Sequence, residues 1–341
     1  MNRKTALRLC ALITLVAGGA LVSAQIQLPS APPKGFGASV SPAYEGWFDS
    51  PDGSHNFLIG YYSRNTEAEL DVPIGPSNHF DPGPADMGQP THFLTRRRFG
   101  MFIVTVPKEF GKTQKISWTL TANGVTTTVP FYMHTDYNIS PMKSSEESPN
   151  GEYNRPPQIR FEEKGPMFSG PFATVGKASA RTATVSVPMP LDIWADDDAL
   201  YSSGGNGPMA NPRPPVSASV TKYRGPGTVT LGNNGRIVFE ALKGGKPLEP
   251  YSGKTSTTVQ FSEPGDYMLE VTGNDYSGNG GGGSGCCWTT TIIKVAVKAA
   301  GASTVVAARL EAQRIRFESK TAEAIVVKFP EATRRVVAAR P

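Results

Sequence analysis

Cysteine is scarce in this sequence, with three residues among 341. Cys10 lies in an N-terminal segment that we expect to be removed, so two cysteines remain, Cys286 and Cys287. They are adjacent, whereas zinc sites usually separate paired cysteines by two to four residues. The four histidines all precede residue 140 and are far from the pair in sequence. The cysteine content therefore gives little support to a zinc site.

The motifs of the common catalytic classes are also missing. The sequence contains neither G-x-S-x-G, which marks a serine nucleophile on a sharp turn, nor H-E-x-x-H, which binds zinc. The run GNGGGG at 278–283 satisfies G-x-G-x-x-G, but it lacks the strand-and-helix surroundings of a dinucleotide-binding loop. GKT at 253–255 lacks the upstream glycine of a phosphate loop. The sequence therefore favours a non-enzymatic protein without deciding the question.

The N-terminus has the pattern of a secretory signal peptide. Arg3, Lys4 and Arg8 are basic, residues 10–22 are apolar, and VSA before Gln25 resembles a cleavage site. The apolar core is short for a membrane-spanning helix. We therefore expect a mature chain that begins at Gln25, has no transmembrane helix, and is periplasmic or extracellular.

Positive charge is concentrated at the two ends of the chain. The formal net charge is +5, but the predicted signal peptide holds three basic and no acidic residues. The segment 299–341 holds eight basic residues against four acidic ones, so residues 25–298 are slightly acidic. A nucleic-acid-binding protein needs a basic face on its folded body. Nucleic acid is therefore not an expected partner.

Glycine and proline are abundant, with 36 and 30 residues. Between them, short runs rich in Val, Ile, Thr and aromatic residues alternate apolar and polar positions, as half-buried strands do. The pattern predicts an all-β protein with two consecutive antiparallel, immunoglobulin-like β-sandwich domains. The predicted segments are a signal peptide (1–24), a Pro/Gly-rich linker (25–42), an N-terminal sandwich (43–140), a linker (141–157), an Ig-like sandwich (158–298) and a basic tail (299–341).

The clearest local pattern is KISWTLTANGVTTTVPF. Two β-rich runs flank Asn123 and Gly124, the preferred pair for a two-residue type I′ hairpin turn. We expect strands at 56–62, 98–106, 115–122 and 126–133 in this block. The stretch 73–98, rich in proline and glycine, is expected to be a long loop without regular structure.

Two stretches near the end of the second block, PGDYMLEVTGNDYSG and TTTIIKVAV, resemble the closing strands of Ig-like domains of the PKD and cadherin-like type. PLDIWADDDA is similar to the earlier acidic turn of these domains, and VTKYRGPGTVTL to their middle strand. The resemblance covers about 185–298 and implies a β-sandwich, not an activity. Tyr267, near the start of the penultimate strand, is expected to hydrogen-bond back to the preceding corner.

Acidic residues are densest at Asp196, Asp197 and Asp198, and Asn274 and Asp275 lie on a turn that an Ig-like sandwich would bring to the same end. Calcium takes six to eight oxygen ligands with flexible geometry, so these side chains form a candidate calcium site. The alternative is a solvated acidic turn. Calcium is the only cofactor that we consider, and no EF-hand spacing is present.

Four interpretations of Cys286 and Cys287 are open. Adjacent Cα atoms are about 3.8 Å apart, closer than the usual span of a disulfide, so a vicinal bridge would form a strained ring. A vicinal or interchain disulfide fits an oxidising compartment best. The others are two thiols buried beside Trp288, a metal site and a redox site.

The loop at 73–98 contains His79, Asp81, Asp86 and His92, residue types that bind metals or catalyse hydrolysis. They form a candidate binding loop and support the enzymatic alternative, a glycan-active or metal-dependent hydrolase. That alternative requires the four side chains to converge. Otherwise such residues hydrogen-bond to the backbone of their own loop.

The leading functional hypothesis is an exported, non-enzymatic binding or structural module of the cell envelope or extracellular space. It would contact protein or polysaccharide through the loops at the ends of the sandwiches. A third hypothesis is an accessory subunit of a larger envelope complex, which would present an exposed apolar patch on one sandwich face.

Overall fold

The computed structural model describes residues 32–144, 150–172, 178–200, 215–246, 248–275 and 286–301. The predicted signal peptide, the glycine run and nearly all of the predicted basic tail lie outside these ranges. The elements of the described chain are β-strands and short 3-10 turns. Within it, no helix is long and apolar enough to span a membrane. The all-β prediction is confirmed.

The first module is an antiparallel sandwich. One sheet has the order β1-β2-β6, the other has the order β4-β7-β8, and β3 pairs with β5. A 3-10 turn, Thr135–Tyr137, follows the last strand. The strands are β1 (Val40–Asp49), β2 (His55–Ser63), β3 (Leu70–Asp71), β4 (Asn78–Asp81), β5 (His92–Phe93), β6 (Arg96–Val106), β7 (Ile116–Ala122) and β8 (Val125–Phe131).

Aromatic side chains fill the space between these sheets. Trp118 is fully buried, lies parallel to Phe80 with ring centroids 5.8 Å apart, and meets Phe102 edge-on at 5.4 Å. Its indole Nε1 donates to Asn78 Oδ1 at 2.8 Å. The buried N–H of this tryptophan is therefore satisfied inside the core.

The predicted hairpin is confirmed. Ala122 faces Val125 across a two-residue turn, and Asn123 and Gly124 have φ angles of 51° and 76°. A type I′ turn requires positive φ at both central positions, which Asn and Gly adopt most readily.

Two expectations for the first module were incomplete. The stretch 73–98 contains β4, β5 and the start of β6, although it was expected to be irregular. Strand β1 was not expected, because Pro42 and Gly46 interrupt its pattern. The register shifts between Tyr44 and Gly46, and this bulge lets a strand containing glycine continue in the sheet.

The second module is an Ig-like sandwich. The order β9-β11-β16-β13 corresponds to strands A, B, E and D, and β12-β17-β18 corresponds to C, F and G. Strand β10 runs parallel to β18. The strands are β9 (Gln158–Arg160), β10 (Ser179–Thr184), β11 (Met189–Asp197), β12 (Ser217–Arg224), β13 (Val229–Leu231), β14 (Arg236–Ile237), β15 (Glu240–Lys243), β16 (Tyr251–Phe261), β17 (Gly265–Asn274) and β18 (Trp288–Lys298).

Tyr267 forms the expected corner. Its ring is buried against Phe261, with centroids 4.7 Å apart. Its hydroxyl donates to the carbonyl of Glu263 at 3.0 Å. This bond fixes the turn that precedes β17, so the role of Tyr267 is structural.

The two modules are in direct contact, and we call the surface between them the module junction. Tyr223 of β12 and Ile292 of β18 are each 1% exposed and belong to the same hydrophobic cluster as Trp118. Both come from the sheet of the second module that faces the first. The core of the first module is therefore completed by side chains of the second.

Candidate functional site

All three consecutive aspartates accept hydrogen bonds inside the second module. Asp196 accepts hydrogen bonds from the Arg160 guanidinium and, at 2.6 Å, from Ser252 Oγ. Asp198 accepts from the Leu200 backbone N–H at 3.0 Å. Burial raises the pKa of Asp198 above its ordinary value.

Asp197 and Asp275 are the two predicted ligands that the structure brings together. Asp197 is 9% exposed and Asp275 is 4% exposed. Asp197 Oδ2 accepts from the Ala199 N–H at 2.8 Å, while its Oδ1 has no hydrogen-bond partner among the described residues. Burial, and then the neighbouring charge of Asp275, raise the pKa of Asp197 to about 9. This carboxyl group therefore holds its proton at neutral pH.

Asn154 connects this carboxyl pair to the cysteines. Its Nδ2 donates to Asp275 Oδ2 at 2.5 Å, and its own backbone carbonyl lies 3.4 Å from Cys287 Sγ. Asn274 ends β17 opposite Trp288. A cavity of about 750 Å³ opens beside the aspartates, lined also by Glu152 and Arg155. The acidic end is thus a mixed-charge pocket.

Within the described residues, no group of three or more His, Cys, Asp or Glu side chains is arranged to hold a metal ion. Asp196 and Asp198 already accept hydrogen bonds from the protein, which leaves them fewer free lone pairs for calcium. Calcium at the acidic end stays a prediction.

Cys286 and Cys287 are joined by a disulfide, and the peptide bond between them is cis. Their exposures are 4% and 1%, and Trp288 beside them is 1% exposed. The pair lies at the entry of β18, within the packed end of the second module. Its surroundings indicate a structural element rather than an accessible redox centre.

An intact-mass measurement on exported protein tests this assignment. After alkylation under denaturing, non-reducing conditions, we expect a monomer two hydrogens lighter than the dithiol form and carrying no alkyl group. The control is the same sample alkylated after reduction, which should gain two alkyl groups. Two alkylated thiols without reduction would contradict the bridge, and a dimer mass would show an interchain bond.

The predicted binding loop is divided between two environments. His79 and Asp81 are two residues apart on β4 and lie on its outward face, where Asp81 is exposed. Asp86 and His92 instead take part in contacts around the module junction. The hydrolase hypothesis therefore has no convergent set of four side chains in this loop.

Asp86 and His92 each have charged partners. Arg224 Nη1 and Nη2 donate to the two carboxylate oxygens of Asp86, each at 2.8 Å. The hydrogen bonds from Arg224 lower the pKa of Asp86. His92 lies between Asp71 and Glu69, with both ring nitrogens 3.0 Å from a carboxylate oxygen. Asp86 of the long loop thus supplies a docking contact between the modules, whereas His92 contacts carboxylates of its own module.

A buried carboxyl group at the junction was not predicted. Glu270 lies on the outward face of β17 and is 1% exposed, because the first module covers that face. Its Oε2 has no hydrogen-bond partner in the part of the chain that the structure describes. Burial raises the pKa of Glu270 to about 8, and the nearby Arg98 guanidinium offsets part of this effect.

Two arginines of the basic run at 96–98 have acidic partners. Arg97 Nη2 donates to Glu45 Oε1 at 2.5 Å, and Arg98 faces Glu270. One local signal in the sequence indicates that the β12-β17-β18 sheet is covered on both faces. Adjacent residues of a strand point to opposite faces, and in β18 two of them, Ile292 and Ile293, are both apolar.

No family model and no curated protein matches this chain. Among solved structures, it is similar to domains 4 and 5 of the S-layer protein SbsC, with 11% identity and a TM-score of 0.19, over 76% of this chain and 98% of that chain. The titin segment A168169 matches with 7% identity and a TM-score of 0.18, over 75% of this chain and 98% of the titin segment. The adhesin InvE of Yersinia pseudotuberculosis matches with 9% identity and a TM-score of 0.17, over 76% of this chain and 58% of the adhesin chain. Similarities this low assign neither a family nor an activity.

Proposed function

We propose that this protein is an exported, non-enzymatic structural or binding module of the cell envelope or extracellular space, in which two sandwiches act as one rigid unit. The observation that carries the proposal is the module junction. Tyr223 and Ile292 are buried in the core of the first module, so separating the modules would expose apolar surface to water.

Directional bonds add to this apolar contact. The Tyr223 hydroxyl donates to the Gly88 carbonyl at 2.5 Å, and the Thr91 N–H donates to the Tyr223 carbonyl at 3.2 Å. Arg224 binds Asp86 through two nitrogens and also donates through Nε to the Gln89 carbonyl at 2.8 Å. A bidentate arginine–carboxylate pair fixes orientation as well as distance. These bonds restrict rotation of one module against the other.

A second apolar contact lies at another part of the junction. Trp288 is 1% exposed and packs with Phe48, Leu58 and Ile103 of the first module. Two separate points of contact resist bending better than one. Flexibly linked domains usually have smaller and more polar interfaces.

The proposed location rests on two features. The N-terminal pattern is that of a secretory signal peptide, and disulfides persist in oxidising compartments outside the cytoplasm. The PKD- or cadherin-like subtype is part of this proposal and rests on the sequence resemblance of 185–298, while the strand order and the Tyr267 corner support the Ig-like fold that it requires. A rigid pair of sandwiches would hold its end loops at a fixed separation for a protein or polysaccharide partner.

Residual dipolar couplings of backbone amides test the rigidity directly. In a weakly aligning medium, we expect the couplings of both modules to fit a single alignment tensor, because the junction prevents independent tumbling. The Arg224→Ala variant is expected to fit a single tensor less well. Arg181→Ala is the matched control, since Arg181 binds Phe161 and Glu162 of its own module. Two clearly different tensors in the unmodified protein would contradict the proposal.

A further inference from the structure

A group of aromatic side chains lies on the surface of the first module, where β1 passes the turn after β8. We call Trp47, Tyr132, His134 and Tyr137 the aromatic face. The ring of Tyr137 lies 6.1 Å from Tyr132 and 5.6 Å from His134, centroid to centroid. Tyr137 is 45% exposed, and the side chain of His134 is 52% exposed. These rings are therefore available to a ligand in solution.

Hydrogen bonds to the backbone hold the aromatic face in place. Trp47 Nε1 donates to the His134 carbonyl at 2.7 Å, and the Tyr44 hydroxyl donates to the Tyr132 carbonyl at 2.7 Å. The Ile139 N–H donates to the Trp47 carbonyl at 2.9 Å. The Trp47 ring and the backbone that carries Tyr132 and His134 are thus fixed before any ligand arrives, which reduces the entropy lost on binding.

Positively charged, negatively charged and neutral polar side chains border these rings. The Lys115 Nζ lies 5.0 Å from the Tyr132 ring centroid. His55 meets the Trp47 ring edge-on at 6.0 Å, and its Nδ1 is 2.5 Å from Asp49 Oδ1. Asp136 is exposed beside His134. Because Lys115 is positive and Asp49 and Asp136 are negative, an ionic ligand of either sign would meet a like charge at this border.

We propose that the aromatic face binds a neutral carbohydrate chain. The faces of pyranose rings carry C–H groups that pack on aromatic rings, and the surrounding hydroxyls require hydrogen-bonding side chains at the border. The aromatic face supplies the rings, and the side chains at its border supply the hydrogen-bonding groups. Of the four side chains, Trp47 and Tyr132 are half-buried, so the apolar area falls short of the roughly 800 Å² that each partner contributes to a stable protein interface. This inference rests on the proposed function only in treating the chain as a binding module.

The test uses four uncharged hexasaccharides, namely cellohexaose, chitohexaose, mannohexaose and xylohexaose. Saturation-transfer NMR on the mature chain is expected to show binding of at least one of them. Replacing either exposed ring, in Tyr137→Ala or His134→Ala, should weaken that binding about tenfold. Phe36→Ala is the matched control, because Phe36 is an aromatic residue that is 67% exposed and is not part of the aromatic face.

Three outcomes would overturn the inference. The first is binding of none of the four sugars, and the second is binding that both variants leave unchanged. The third is self-association of the chain through this surface, seen as concentration-dependent broadening of the Tyr137 signals without sugar. If the sugars fail to bind while both modules still share one alignment tensor, the carbohydrate inference fails and the rigid-module proposal stands.

Discussion

Replacing Gly100 with alanine is expected to lower the free energy of unfolding by about 3 kcal/mol. Gly100 has a φ of +51°, a left-handed conformation that costs other residues about 1 to 2 kcal/mol. A Cβ at this position would lie 2.4 Å from Cζ2 of the buried Trp288 ring. The ring belongs to the second module, is 1% exposed and packs with Phe48, Leu58 and Ile103. Urea unfolding monitored by circular dichroism measures the change.

The Gly124→Ala variant separates the backbone cost of a positive φ from the clash with the Trp288 ring. Gly124 has a φ of +76°, and no heavy atom lies within 4 Å of a Cβ built there. This variant should lose only the backbone contribution, about 1 to 2 kcal/mol. Equal losses in the two variants would show that Trp288 does not pack tightly against the first module, contrary to the structure.

Replacing Glu270 with glutamine is expected to raise the free energy of unfolding at pH 7 by about 3 kcal/mol. The pKa of Glu270 is about 8 in the folded protein, whereas an exposed glutamate has a pKa near 4. The folded state therefore keeps a proton that the unfolded chain releases. As pH rises from about 4 to 8, this difference progressively destabilises the native protein. Glutamine has the same shape and no proton to release.

Urea denaturation from pH 4.5 to 8 measures this effect. The unmodified protein should lose stability across that window, and Glu270→Gln should show a smaller slope. Some slope should remain, because the pKa of Asp197 is also raised, to about 9. Glu263→Gln is the control, since Glu263 is exposed near the same strand. A variant no more stable than the unmodified protein at pH 7 would show that Glu270 is not buried.

Local structure could be predicted where a few neighbouring residues determine it. Asn123 and Gly124 specify their turn because both adopt positive φ at low cost. The alternation of Tyr267, Leu269 and Val271 predicts the inward face of β17, and all three are buried in the core of the second module. Such features depend on contacts within one hairpin or one sheet.

The module junction could not be predicted in the same way. On β17, the outward positions Met268, Glu270 and Thr272 have the composition of a half-solvated face. Packing against the other module buries Glu270 fully and leaves Met268 and Thr272 half-buried. Asp86 had the residue type of a metal ligand, but its partner Arg224 lies in the other module, 138 residues away in sequence. A sequence pattern reports which face of a strand is apolar. It does not report which distant surface covers the other face.

The central claim is that the two sandwiches form one cooperative unit, and differential scanning calorimetry of the mature chain tests it most directly. We predict a single unfolding transition, reversible and independent of scan rate, whose calorimetric enthalpy equals its van't Hoff enthalpy. The shared cluster around Tyr223 and Ile292 and the packing of Trp288 couple the unfolding of one module to that of the other. Two transitions, or a calorimetric enthalpy near twice the van't Hoff value, would contradict the account, because each module would then unfold without the other.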